Sequence, residues 1–196
     1  METTANRSLT DKIVEGLKYH LVDTTAILSS TNPVFSAMEI GVSRMPDQVS
    51  IDSRLVVAGL SYAGLGFAYS RGRDLSRKFF HINNQTNEKV QTFHDSAYTF
   101  TFNLTMIPIY LSQGADLKQA IIGGVSGAIL GIGLGPVMGY SIDTARDLTG
   151  LQNCERVTYP DSIRRQRPVL KKSLATLLAA GSIAAMVGIY TLTSNS

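Results

Sequence analysis

Three acids stand where acids are costly. Asp23, Glu39 and Asp95 lie within or beside stretches that otherwise carry little or no charge. At bilayer depth an ionisable side chain is rare, and it is a functional candidate whose partner must be named. A carboxyl group can hold and release a proton, pair with an arginine or bind an amine. Asp23 and Asp95 each open an odd-numbered apolar stretch, and Arg73 and Arg146 close the even-numbered ones. Two readings stand side by side: a pair of structural Asp–Arg contacts that fix the helical hairpins, or a gate that touches a substrate amine. Glu39 is different. It follows Asp23 by 16 residues, roughly 24 Å along a straight helix, so the two carboxylates cannot act as a dyad. Buried among helices, Glu39 suits proton carriage. At an interface with water it would instead pair with Arg44, Arg54 or Lys118.

Uncharged polar residues supply a second set of candidates. Asn32, Tyr98 and Asn103 could bond a small polar solute, and they could equally bond neighbouring helices. Pro33 and Pro108 each remove a backbone donor and crowd the preceding turn. Kinks are expected at both.

The elements that would position these residues are apolar runs separated by clustered charge. Leu55–Ser70, Ser96–Ala115, Gln119–Ile142 and Ser173–Ser196 are free of charge, whereas a soluble domain interleaves charges along each element. Leu21–Val42 forms a further, polar span whose hydrophilic side must face other helices or water. In the fourth run Gly123, Gly127, Gly131, Gly135 and Gly139 recur at every fourth residue. Small residues at that spacing let another helix approach closely in a membrane, and a span of about 20 apolar residues is long enough to cross one.

Of the 18 Lys and Arg residues, three precede the first span, five follow the second and seven follow the fourth. The positive-inside rule places those segments, and the N-terminus, in the cytoplasm. Gly66–Leu75 (GFAYSRGRDL) resembles Gly139–Leu148 (GYSIDTARDL). The expected fold is an all-α integral membrane protein built of two repeated transmembrane hairpins, 21–75 and 95–148, plus an appended C-terminal helix over 173–196. Residues 1–20 form a cytoplasmic segment, and 76–94 and 149–172 are basic cytoplasmic loops. The plasma (inner) membrane is the expected location, with the chain crossing it several times.

Several functions are disfavoured. His20, His81 and His94 are scattered and Cys154 is the one cysteine, so no metal cluster or cofactor is expected. The glycines of Gly131–Gly135 lack the strand–helix context of a dinucleotide site. A net charge of +3 does not suit a nucleic-acid binder. The first 20 residues hold several charges and lack the apolar core of a signal peptide. Nothing points to an enzyme.

An ordered set of short motifs resembles the small bacterial inner-membrane L-alanine exporters. Asp23-Thr24 is followed by Glu39, then Ser43, Met45 and Gln48, then Ser53-Arg54-Leu55 and Arg73-Asp74-Leu75. The second half carries Asp95, Pro108-x-Tyr110, Gly114-Ala115-Asp116-x-x-Gln119 and Gly139-Tyr140-x-x-Asp143. The resemblance covers about residues 20–150, and residues 151–196 have no counterpart in it. It implies a four-helix membrane protein that exports L-alanine by proton antiport, as an oligomer. The competing expectation is a non-transporting scaffold whose basic segments, Arg164–Lys172 among them, bind a cytoplasmic partner or anionic lipid.

Overall fold

A computed structural model describes residues 9–83, 85–153 and 158–193. Arg7, Cys154 and Arg156 lie outside them. Described residues form helices joined by short turns: α1 (Leu9–Gly41), α2 (Asp47–Leu60), α3 (Gly66–Phe79), α4 (Glu88–Asn103), α5 (Met106–Ser112), α6 (Leu117–Thr149), the single turn α7 (Asp161–Arg164) and α8 (Pro168–Thr193). No strand occurs among the described residues. The fold is that of an all-α membrane protein. Helices α6 and α8 are long and apolar enough to cross a bilayer on their own.

The interior is unusually polar. Thr24, Thr31, Asn32, Ser36 and Glu39 of α1 are buried, while Leu21 and Val34 of the same helix are exposed. Lipid is as apolar as leucine, so apolar side chains have no reason to leave it and polar ones do. Helix α8 has no buried residue and exposes Leu177, Leu178, Ile183 and Val187, as an outer helix in lipid would. It packs on α1 and α6.

Helices extend further than the apolar runs imply. Residues 9–20 continue directly into the first span, and the connection after α3 is only about residues 80–87, shorter than the basic loop expected over 76–94. The helices project past the apolar zone, where charged side chains no longer oppose helix formation.

Proline acts differently at its three helical positions. The helix through the third span breaks at Leu104–Thr105, between α4 and α5. Pro108 accounts for it, because its ring crowds the carbonyl four residues earlier and offers that carbonyl no donor. Ile107 N–H takes up the Leu104 oxygen at 3.3 Å instead. Helix α1 runs unbroken through Pro33, so that expected kink does not interrupt the element. Helix α6 also runs unbroken through Pro136. The carbonyl this proline orphans belongs to Ile132, and Ser96 Oγ of α4 donates to it at 2.6 Å. Ser96→Ala is therefore expected to cost about 1–3 kcal/mol, the penalty for an unsatisfied buried acceptor, read as a lower unfolding temperature in detergent.

The glycine stripe of α6 is occupied by the chain itself. A methyl group at Gly123 would meet Met45 and Tyr110, at Gly127 Phe35, at Gly131 Asn103 and Thr99, at Gly135 the backbone of Asp95, and at Gly139 Arg73 and Asp95. Small residues here let α1, α4 and α5 close onto α6. They leave no open groove for a second subunit. Asp116 caps the start of α6 by accepting from Gln119 N–H at 2.7 Å, while the Gln119 side chain accepts from Asp116 N–H. The Asp116-x-x-Gln119 motif is thus a capping box.

Candidate functional site

The second span is bent where the site needs it. Between α2 and α3 the chain makes one wide turn, Ser61–Leu65, with Gly64 at φ 138°. Only glycine adopts that conformation without strain. The turn carries Ser61, Leu65 and Gly66 to the wall of an internal cavity of about 50 Å³. About 10–15 Å³ on this measure holds one water, so the space accommodates a few water-sized groups. Its polar lining comes from Thr31 and Asn32 of α1, Arg54 of α2, Ser61, Tyr69 of α3, and Thr99 and Asn103 of α4. Phe35, Val57, Phe102, Met106 and Met138 supply apolar wall.

Two of the lining residues keep unsatisfied donors. Asn103 Nδ2 and Arg54 Nε are buried and have no hydrogen-bond partner. A buried donor left unpaired costs about 1–3 kcal/mol. Both donors suit a group that brings an acceptor, such as a carboxylate. Asn32 and Asn103 line the same cavity although they sit on different helices. Tyr98 does not. Its hydroxyl donates to Tyr69 O at 3.1 Å and its ring is half-buried, so it braces α3 against α4.

Glu39 follows the lining residue Phe35 by one turn of α1 and is fully buried outside the cavity lining. Its Oε1 is 2.5 Å from Arg54 Nη2 and accepts from the Tyr110 hydroxyl at 2.7 Å. Its Oε2 accepts from Ser50 Oγ at 2.6 Å. Arg54 in turn donates to Tyr110 Oη at 3.1 Å and stands over the Phe35 and Tyr110 rings. Burial and pairing, the two alternatives open for Glu39, coexist. Of the three possible partners the structure selects Arg54, while Lys118 begins α6 and Arg44 occupies a left-handed turn at φ 54°.

Asp23 and Asp95 precede the lining residues Ile27 and Thr99 by one helical turn, and each is held by an arginine. Arg146 Nε donates to Asp23 Oδ1 at 2.7 Å, and its Nη2 bonds Oδ2. Arg77 Nε donates to Asp95 Oδ1 at 2.9 Å, and its Nη2 bonds Oδ2. These bidentate forks are the strong form of the contact. They tie the hairpins to each other, not within themselves, because α1 packs on α6 and α3 on α4. Arg73 is not the partner of Asp95. It is buried, 3.6 Å from Asp74, and its Nε has no hydrogen-bond partner. Arg77, one helical turn on, takes the role.

The sequence offers Tyr110 only as part of a family motif, with no role, and does not single out Ser50 or Arg77. Tyr110 sits at nearly the repeat position of Glu39, a signal that was present. Ser50 and Arg77 carried none, since a serine in an amphipathic helix and an arginine in a basic segment look ordinary. His94 Nδ1 approaches Asp95 Oδ1 at 3.2 Å and its Nε2 meets Ser76 Oγ at 2.8 Å. No cluster of metal-binding side chains forms among the described residues.

Among the described residues, Arg54 is the one charged residue in the cavity wall, and it ties that wall to the buried Glu39. The cavity lining mixes amide, hydroxyl and guanidinium groups with apolar side chains. The family model for the L-alanine exporter (AlaE) matches residues 13–152. No curated protein and no solved structure matches the chain. The matched segment runs from α1 through the end of α6, contains every residue lining the cavity, and spans well over half the chain. The chain belongs to the L-alanine exporter family.

Proposed function

We propose that this protein exports L-alanine across the plasma membrane in exchange for protons, with Glu39 as the shared carrier. Membership of a family of amino-acid exporters supports the transport of an amino acid. The observation that carries the rest is Arg54, which lines a small cavity together with the unpaired Asn103 amide and is itself paired to the buried Glu39 behind it. An amino acid is a zwitterion. Its carboxylate needs cationic or amide donors, which Arg54 and Asn103 supply. Its ammonium needs an anion, and Glu39 is the buried acid beside Arg54. A proton and the ammonium both neutralise the same carboxylate. Protonated Glu39 offers the ammonium no counter-charge, so the two are carried alternately, as exchange requires. The small cavity and its apolar wall of Phe35, Val57 and Met106 leave little room beyond a methyl side chain.

The Asp23–Arg146 and Asp95–Arg77 pairs act as the cytoplasmic gate, and the Glu39–Arg54–Tyr110 cluster closes the far side. Alternating access then means breaking one set while the other holds.

The direct test uses purified protein in liposomes with an imposed pH gradient. Labelled alanine should move against the proton flow, and dissipating the gradient should stop it. Movement indifferent to the gradient would remove proton exchange, and no movement would leave the scaffold reading. In the same assay Asn103→Ala should raise the KM for alanine about tenfold with less change in maximal rate. That corresponds to about 1.4 kcal/mol, close to the lower end of what a hydrogen bond to a charged group contributes.

A further inference from the structure

Helix α8 lies beyond the 13–152 family match, yet it reaches the acid at the centre of the proposed exchange. Its Tyr190 hydroxyl donates to Ser36 Oγ at 3.0 Å and lies 3.1 Å from Ser50 Oγ. Ser50 Oγ in turn donates to Glu39 Oε2 at 2.6 Å. Tyr190 is half-buried, whereas Ser36, Ser50 and Glu39 are fully buried. Three oxygens therefore run in hydrogen-bond contact from the edge of the protein to a buried carboxylate. Among the described residues, the titratable or charged side chains bonded to Glu39 are Arg54 and Tyr110.

We propose that Tyr190 and Ser50 form the proton-entry relay to Glu39, so that the appended helix is a working part of the exporter. The reading rests on Glu39 as the proton carrier. The hydrogens balance along the path. A hydronium ion at the membrane edge gives a proton to the Tyr190 oxygen and leaves as water, as the phenolic hydrogen passes to Ser50 Oγ. The Ser50 hydrogen passes to Glu39 Oε2. Each oxygen gains one bond to hydrogen and loses one, and the net result is one proton on Glu39. Before the transfer the Tyr190 hydroxyl rotates from Ser36 to Ser50, a short swing between two acceptors at equal reach. Once Glu39 is protonated its own O–H donates to Ser50, and the bonds reverse direction, Ser50 to Tyr190 to Ser36.

Tyr190→Phe separates this role from packing, since it deletes one oxygen and keeps the ring. Liposomes report two rates. Alanine–alanine exchange at equal pH needs no net proton movement, and pH-gradient-driven transport needs it every cycle. Tyr190→Phe should slow gradient-driven transport about 100-fold, the lower range for a positioned proton-transfer group, and exchange far less. Tyr62→Phe, a hydroxyl bonded to Thr25, should leave both at wild-type rates. Equal loss of both rates in Tyr190→Phe would assign the residue to structure and overturn the relay. Wild-type rates in both would also overturn it. If the wild-type protein itself shows exchange without gradient-driven transport, the underlying proton reading fails first, and the two failures are told apart.

Discussion

Glu39→Gln is expected to bring pH-gradient-driven alanine transport down to the rate of protein-free liposomes. The amide cannot carry the proton and cannot offer the ammonium a full negative charge, so both halves of the cycle are lost. The same change removes the counter-charge of Arg54, which is almost completely buried. Leaving one member of a buried pair alone costs about 3–5 kcal/mol. The loss of transport must therefore be separated from loss of fold. Replacing both partners, Glu39→Gln with Arg54→Met, removes the stranded charge, and exchanging a buried pair for neutral groups of similar size is often close to neutral. The double variant should melt nearer to wild type in detergent than Glu39→Gln alone and should still fail to transport. Gradient-driven transport by either variant would remove Glu39 from the proton path.

Gly135→Ala is expected to destabilise the protein strongly, whereas Gly133→Ala, two residues away in the same helix, should be neutral or slightly stabilising. A methyl at position 135 would stand 2.6 Å from Asp95 O, 2.8 Å from Asp95 C and 2.9 Å from Ser96 N. These are backbone atoms, which no rotamer change can move aside. Helix α4 must shift, and with it Asp95, Ser96, Thr99 and Asn103. Overpacking of this kind costs about 1–3 kcal/mol, and here the displaced helix carries one cavity wall. A methyl at Gly133 meets nothing within 4 Å, and alanine is the better helix former by up to about 1 kcal/mol. Thermal unfolding of the two purified variants measures the contrast. Equal melting temperatures would mean that α4 does not pack on α6 as described.

The fold class was legible because a bilayer leaves few choices. Long uncharged runs must be helices, and the glycine period marks a face that another helix touches. What occupied that face was not legible, since small residues license close approach without naming the neighbour. The acids Asp23, Glu39 and Asp95 were visible as exceptions to the apolar pattern. Their partners were harder. Arg54 was one of three possible cations for Glu39, and only helix packing decides among them. Arg73 matched Arg146 by repeat position, yet Arg77 reaches Asp95, because one turn of helix moves a guanidinium past its target. Tyr98 and Asn103, five residues apart on one helix, looked equivalent as polar candidates, but only Asn103 lines the cavity. The role of α8 was invisible. An apolar helix with one tyrosine near its end looks like an anchor until its hydroxyl is seen beside Ser36 and Ser50.

The crosswise ion pairs bear on how the chain is made. Synthesis delivers α1 to α3 before α4 to α6. When α3 is complete, Asp23 awaits Arg146 and Arg77 awaits Asp95, and neither partner yet exists. The first hairpin thus enters the membrane with an acid and a base that its own helices do not neutralise. Both are settled only when the second hairpin arrives. The two halves are joint halves of one folding unit, and a ribosome that stops between them leaves Asp23 and Arg77 without the partners the complete fold gives them.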